Sequence, residues 1–306
     1  MNHVVILALL GGCSDYEYQH IKSIETFEQG APGEGVDVLW IVDNSGTMIE
    51  EQDLLTGQFG AFAEILAYSG IDYQVGVVST DLDEGGVLVG EIITADTPDL
   101  ITAFSTQASL GTTGSRDEQP LAVMAAAVTS TTNPGFIRTG MGLHAIVLTD
   151  EDDHSRDDVS TYLATLSGVK GADPWRISAV AGNAPEGCNS SFASATVATR
   201  ILDAVDATGG EFHSICSPDF EPVLSALALT TTGLSFSFVL SALPQPGSIE
   251  VEVDGVLVHE RDLDGWQFDV GDNAIAFEGY AVPRAGQSIK VSYYEMTITP
   301  DTGSAG

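Results

Sequence analysis

Positive charge is scarce in this chain: only 10 of 306 residues are Lys or Arg, against 44 Asp or Glu, for a formal charge of -34. Neutralising phosphates takes clustered basic side chains. Ten of them scattered from Lys22 to Lys290 form no patch, so unaided nucleic-acid binding is not expected, and anionic membrane surfaces repel the chain for the same reason. No apolar run is long enough to cross a bilayer as a helix. The G-x-S-x-G elbow, the Walker loop and the H-E-x-x-H helix are absent, and His144, His154, His213 and His259 stand isolated. Cysteine is limited to Cys13, Cys188 and Cys216. What is present is apolar: 43% of residues are hydrophobic, which excludes a polar disordered chain. The length allows one large domain or one with a small appendage. An acidic surface concentrates cations, which suits divalent-metal binding and a salty environment equally.

The run from Val4 to Leu10 is the length of a signal-peptide core. It leads into Leu10-Gly11-Gly12-Cys13, which resembles the bacterial lipobox, implying a lipid on Cys13 and attachment to the cell envelope through that lipid only. Ser14 favours the outer membrane of a Gram-negative bacterium by the same resemblance. With Cys13 assigned to lipid, Cys188 and Cys216 remain to form one disulfide.

The chain divides into a signal segment (1–13), a tether (14–35), an α/β domain (36–232), a β-rich module (233–298) and a polar tail (299–306). In the α/β domain short apolar runs alternate with amphipathic segments, the pattern of a doubly wound, mostly parallel sheet flanked by helices. Core strands are expected at Val36–Val42, Tyr73–Ser79, Leu143–Thr149, Ile177–Ala181 and Phe212–Cys216. Leu55, Phe59, Phe62 and Leu66 form one helical face, as do Leu121, Met124 and Val128. After Gly233 the period becomes two, and Asp254-Gly255 offers a type I′ turn, so the module is antiparallel.

The first core strand delivers Asp43-Asn44-Ser45-Gly46-Thr47 into the crevice where open α/β sheets place ligands. A turn can aim the oxygens of Asp43, Ser45 and Thr47 at one point, as a hard divalent cation demands. A second acidic turn, Asp150-Glu151-Asp152-Asp153, ends another parallel strand at the same edge. The competing reading is that Asp43 and Ser45 only cap the helix beginning at Met48, and that Asp152 and Asp153 solvate a loop or cap the helix starting near Arg156.

The segment Val38 to Met48 resembles the hydrophobic strand and D-x-S-x-S turn of von Willebrand factor type A domains with a metal-ion-dependent adhesion site. That resemblance covers about Val36 to Leu229 and implies a divalent cation, Mg²⁺ or else Mn²⁺ or Ca²⁺, held by Asp43, Ser45, Thr47 and Asp150. A middle-loop threonine is also implied, Thr113 or Thr112, with Glu118 able to take its place and Asp152 a further alternative. The implied partner is a protein or extracellular-matrix ligand that completes the metal site with an acidic residue. The whole chain resembles bacterial type A lipoproteins of the cell envelope.

Two other functions are weighed. A structural envelope scaffold would use the metal for stability alone or hold none. A Mg²⁺-dependent phosphohydrolase would work through Asp150 and Asp152, whose spacing resembles the haloacid-dehalogenase nucleophile loop, although His154 and the lack of a suitable later Lys depart from it. The Asp43 turn is similar to an aspartic-protease loop, but Asn44 interrupts the motif. The chain is accordingly read as a binding module, not an enzyme.

Overall fold

The computed structural model describes residues 21–30, 35–191, 193–261 and 264–296. The lipobox with Cys13 and the polar tail lie outside the described residues. In chain order the strands are β1 (Lys22–Glu28), β2 (Gly35–Val42), β3 (Asp72–Ser79), β4 (Ile93–Thr94), β5 (Gly142–Leu148), β6 (Trp175–Ala181), β7 (Cys188–Asn189), β8 (Ser194–Ala195) and β9 (Phe212–Ser214). There follow β10 (Ser237–Val239), β11 (Glu250–Val253), β12 (Val256–Val258), β13 (Trp266–Asp269), β14 (Ala274–Phe277) and β15 (Ser288–Tyr294). The helices are α1 (Ile49–Gln58), α2 (Gly60–Tyr68), α3 (Leu100–Ala108), α4 (Pro120–Thr129), α5 (Val159–Lys170), α6 (Thr199–Thr208) and α7 (Glu221–Thr232).

The central sheet has the order β4-β3-β2-β5-β6-β9, parallel throughout except for the short edge strand β4. β2 is buried along its whole length, so its side chains serve two cores alternately. Val36, Val38, Trp40 and Val42 face one core with α1, α2, α3 and α7, while Leu39 and Ile41 face the other with α4, α5 and α6. Trp40 lies edge-on to Phe59, Phe62 and Phe104, an arrangement that aromatic quadrupoles favour. This packing anchors the strand that carries Asp43. The chain leaves β2 toward β3 on one side and returns to β5 on the other, so the topology reverses around the carboxyl end of β2. That is where open α/β sheets bind ligands.

One expectation is corrected. The tether was expected to run over residues 14–35, yet Lys22–Glu28 form β1, paired antiparallel with β15 in the sheet β1-β15-β11-β12. The alternation is present but inverted in polarity. Ser23, Glu25 and Phe27 point inward, and Ile24 is exposed. Glu25 accepts from the Tyr293 hydroxyl and from Ser241, and Phe27 packs on Phe238. This sheet and the sheet β10-β14-β13 enclose one core of Phe238, Val251, Trp266, Ile275, Phe277, Ile289 and Val291. The β-rich module is therefore discontinuous, with the α/β domain inserted between β1 and β10. Gln29, where the chain leaves β1, holds the first part of the module to its later part, donating to the carbonyls of Ser235 (2.7 Å) and Pro283 (2.9 Å). The hairpin turn at Asp254-Gly255 has positive φ at both residues, 50° and 79°, as type I′ requires.

Cys188 and Cys216 form a disulfide across a separation of 28 residues, pinning the β7–β8 hairpin to the segment that follows β9. In the chain-entropy account a loop of this size stabilises by about 3.5 kcal/mol. The double Cys→Ser variant is expected to lose about 3 kcal/mol in urea unfolding; a loss below about 0.5 kcal/mol would contradict the assignment.

His144, on β5, is buried, with Nδ1 2.6 Å from the Thr231 hydroxyl and Nε2 2.8 Å from that of Ser178. Burial, and then the nearby Arg176 charge, hold its pKa down at about 3. Because the unfolded imidazole titrates near 6.5, acid loads a proton onto the unfolded chain first. The contribution of His144 to stability is therefore complete above about pH 6.5 and declines below it by about 1.4 kcal/mol per pH unit. Replacing His144 with Asn should flatten the pH dependence of unfolding between about pH 4.5 and 6.5 by that slope; parallel profiles would show that the ring is not buried neutral.

Candidate metal centre

Six acidic side chains are buried among the described residues: Asp37, Asp43, Glu51, Glu118, Asp150 and Asp153. Two have a guanidinium partner, Asp37 with Arg138 (2.6 Å) and Asp153 with Arg200 (2.9 Å). The other four have no basic partner among the described residues. Their elements all meet at the carboxyl edge of the parallel sheet.

Asp43 follows β2 and donates its backbone N–H to the Leu148 carbonyl at the end of β5 (2.9 Å). Its Oδ1 accepts from the Ser45 amide (2.7 Å) and its Oδ2 from the Thr149 hydroxyl (2.6 Å). The Ser45 and Thr47 hydroxyls are 3.3 Å apart, and the Thr47 hydroxyl lies on the Asp150 side, where it favours the charged form of that carboxyl. Gln52, one turn into α1, clamps the loop from beneath by donating to the carbonyls of Asp43 (2.7 Å) and Gly111 (2.9 Å). The capping alternative for Asp43 and Ser45 fails, because α1 begins at Ile49 with no side-chain cap bond.

The structure brings Asp43, Ser45, Thr47 and Asp150 together. It also buries Glu118 completely, one oxygen taking the Thr80 hydroxyl. The 111–115 loop docks by its backbone, Gly114 N–H to the Asn44 carbonyl (2.9 Å). Thr113 is exposed and Thr112 half-buried on that loop, whereas the Glu118 carboxylate is buried and feels the Asp43 charge. Asp152 is not among the cluster. Its carboxylate accepts from the Arg200 amide (3.0 Å) in the first turn of α6. Nor does Asp153 cap a helix near Arg156: α5 starts at Val159 without a side-chain cap, and Asp153 with Ser155 instead receives the Leu121 (3.0 Å) and Ala122 (2.9 Å) amides at the start of α4. The acidic turn thus fixes α4 and α6 by their orphan N–H groups, and Asp150 alone points its chemistry at Asp43.

Burial, opposed by the Thr149 and Ser45 hydrogen bonds and reinforced by the Asp150 charge, lifts the Asp43 carboxyl to about pKa 6. Burial and the charge of Asp43 lift Glu118 to about 8. Burial raises Asp150, with the Thr47 hydroxyl opposing. Glu51, which sequence reasoning missed, is lifted to about 7 by burial and the charges of Asp150, Glu50 and Asp43. Four acceptor oxygens here lie buried without a partner: Asn44 Oδ1, Glu51 Oε2, Glu118 Oε1 and Asp150 Oδ1. No group of three His, Cys, Asp or Glu side chains among the described residues is arranged to hold a metal by itself. What converges is a mixture of carboxylates and hydroxyls, the donor set of a hard cation. Buried, unpaired and acceptor-only, these groups fit a divalent ion.

No protein-family model and no curated protein matches the chain. Similar solved structures include the pilus adhesin SpaC from Lactobacillus rhamnosus GG in its open conformation, at 12% identity and TM-score 0.47, covering 95% of this chain and 44% of that one. This chain thus spans less than half the length of that adhesin. A von Willebrand factor type A protein from Catenulispora acidiphila is similar at 15% identity and TM-score 0.40, covering 94% and 68%. The mussel-byssus proximal thread matrix protein 1 with a zinc-occupied MIDAS motif is similar at 10% identity and TM-score 0.42, covering 69% and 48%. The fold described above rests on this chain's own strand order, and the D-x-S-x-T turn leaves the end of a central parallel strand as the sequence resemblance implies.

Because Asp43, Glu51 and Glu118 have folded-state pKa values above those of free carboxyls, metal-free protein holds protons that the unfolded chain has lost. Its stability therefore falls as pH rises from about 4 to about 8. A divalent cation held there would replace those protons, so excess Mg²⁺ should raise the melting temperature more at pH 8 than at pH 5.5; an equal gain at both, or none, would contradict a metal-holding role for the cluster.

Proposed function

We propose that this chain is a von Willebrand factor type A-like binding module of the cell envelope, tethered by a lipid on Cys13, that holds Mg²⁺ or a similar divalent cation and engages a protein partner through it. The observation that carries this reading is the set of buried carboxylates at the sheet's carboxyl edge that lack a basic partner among the described residues, beside the two hydroxyls of Ser45 and Thr47. Asp43, Ser45, Thr47, Glu118 and Asp150 are the residues that would hold the ion. When bound, a hard cation offers one coordination position to a carboxylate from outside.

The protein's own groups explain why a partner's acid is tolerated there. A chain of charge -34 repels acidic partners at long range, so attraction must be local to the ion. Thr149 and Ser45 orient Asp43, Thr80 orients Glu118, and Gln52 fixes the loop, leaving little reorganisation on binding. Binding is favoured over phosphoryl chemistry because Asp152, which a phosphohydrolase would need beside Asp150, is held by the α6 amide of Arg200.

Calorimetric titration of EDTA-stripped protein with Mg²⁺, Mn²⁺ and Ca²⁺ tests this. Wild type should show saturable binding, weakened at least about tenfold, or about 1.4 kcal/mol, in Asp43→Ala with the fold intact by circular dichroism. Acetate added to the Mn²⁺-loaded protein should then displace metal-bound water and lower the water-proton relaxation enhancement. Equal affinity in both proteins would sink the reading.

A further inference from the structure

The β-rich module meets the α/β domain at the end of α2, where the Ala285 N–H donates to the Ser69 carbonyl (3.4 Å) and the Tyr280 ring stands edge-on to Tyr68, 5.2 Å between centroids. Beside this contact α2, α7 and the segments 233–237 and 277–282 line an open cleft of about 1010 Å³. Much of the lining is apolar: Ile65 and Leu229 come from the two helices, and Leu234, Phe277 and Val282 from the chain beyond α7. Three rings in it, Tyr68, Phe236 and Tyr280, remain 37%, 48% and 50% exposed. Aromatic surface left open in a cleft of this size is the mark of a binding site.

The charge of the cleft selects its ligand. Six carboxylates line it, Glu64, Glu211, Asp219, Glu221, Asp264 and Glu278, against one guanidinium, Arg176. None of the six pairs with a Lys or Arg among the described residues. The rings accept cations as well, since the chain's own Arg284 guanidinium lies 4.1 Å over Tyr68, a cation–π contact. Carboxylates and open rings together fit Lys or Arg side chains, whose apolar stems cover the rings while their heads meet the acids. From Glu221 to Thr230 α7 rises about 13 Å, the span of about four residues of extended chain.

The occupant comes from outside this chain. Residues 1–20 and 297–306 contain no Lys or Arg, so neither segment supplies the complementary charge. A second copy, with a charge of -34, brings repulsion, and the same charge repels nucleic acid and anionic membranes. We propose that the cleft between α2, α7 and the β-rich module binds a short basic and apolar segment of a partner protein. The site is separate from the metal centre. Arg176 lies at the start of β6 and Glu211 precedes β9, at the amino edge of the parallel sheet, and no residue of the Asp43 cluster lines the cleft. Binding there accordingly needs no metal.

Fluorescence anisotropy of the full chain in EDTA, at about 0.15 M salt, tests this with a fluorescein-labelled peptide of alternating Arg and Leu. Saturable one-to-one binding is expected. Phe236→Ser should weaken it about tenfold, and Glu64→Gln combined with Glu278→Gln about fivefold, with unchanged melting curves. Asp203→Asn combined with Asp206→Asn, an exposed pair on α6 across the sheet, should leave the affinity as it is. An equal loss in that control, or equal affinity for a peptide of alternating Arg and Gly, would overturn the proposal by showing diffuse attraction to an acidic protein. Absence of saturable binding would overturn it outright. A dimer in sedimentation velocity that Phe236→Ser dissociates would give the cleft to a second copy instead, and peptide uptake only after removal of residues 1–20 or 297–306 would give it to a segment of this chain; either result overturns the proposal.

Discussion

An unpaired buried carboxylate is the constraint on which the rest of this structure turns. The sheet contains its own control. Asp37 and Asp153 are buried as deeply as any acid in the chain, and each is matched by a guanidinium. At the carboxyl edge Asp43, Glu51, Glu118 and Asp150 are buried together with no basic partner among the described residues. Such groups are retained in a fold only if protons or a cation compensate them. With 10 basic residues among 306, the chain places Arg138 and Arg200 on two of these acids and leaves the other four without a base among the described residues.

The scaffold serves this arrangement at several levels. Trp40 and its ring of phenylalanines fix β2, β5 holds Asp43 by a backbone bond, and Gln52 ties α1 and the 111–115 loop to the same point. The acidic turn after β5 works in two directions. Asp152, Asp153 and Ser155 bind the amides that open α6 and α4, while Asp150 faces the Thr47 hydroxyl. The β7–β8 hairpin, held by the disulfide, reaches the same turn where the Thr196 amide donates to the Asp150 carbonyl (2.9 Å). Rigid surroundings of this kind lower the reorganisation cost of binding an ion and then a ligand.

The α/β class and its inner strands were legible because a strand buried on both faces is a continuous apolar run, and β2 and β5 are buried at every position. Asp43, Ser45, Thr47 and Asp150 were legible because strand ends in such sheets are ligand positions and D-x-S-x-T concentrates oxygens there. Glu118 could only be offered beside Thr112 and Thr113, since spacing alone does not reveal which is buried. Glu51 was invisible: an acidic pair in the first turn of a helix reads as ordinary dipole complementation, and its burial is a tertiary fact. β1 was missed for a related reason. Its inward residues Ser23 and Glu25 are polar because they meet Glu295, Ser241 and Tyr293, and its one aliphatic side chain, Ile24, faces outward.

The measurement that tests the central claim most directly is a crystal structure of the chain soaked in Mn²⁺, with anomalous data collected at the manganese edge. The account predicts a peak at about 2.0–2.3 Å from oxygens of Asp43, Ser45, Thr47 and Glu118, with Asp150 in the same shell or one water away. Ordered water alone at that position, or manganese bound only at exposed acidic loops, would contradict it.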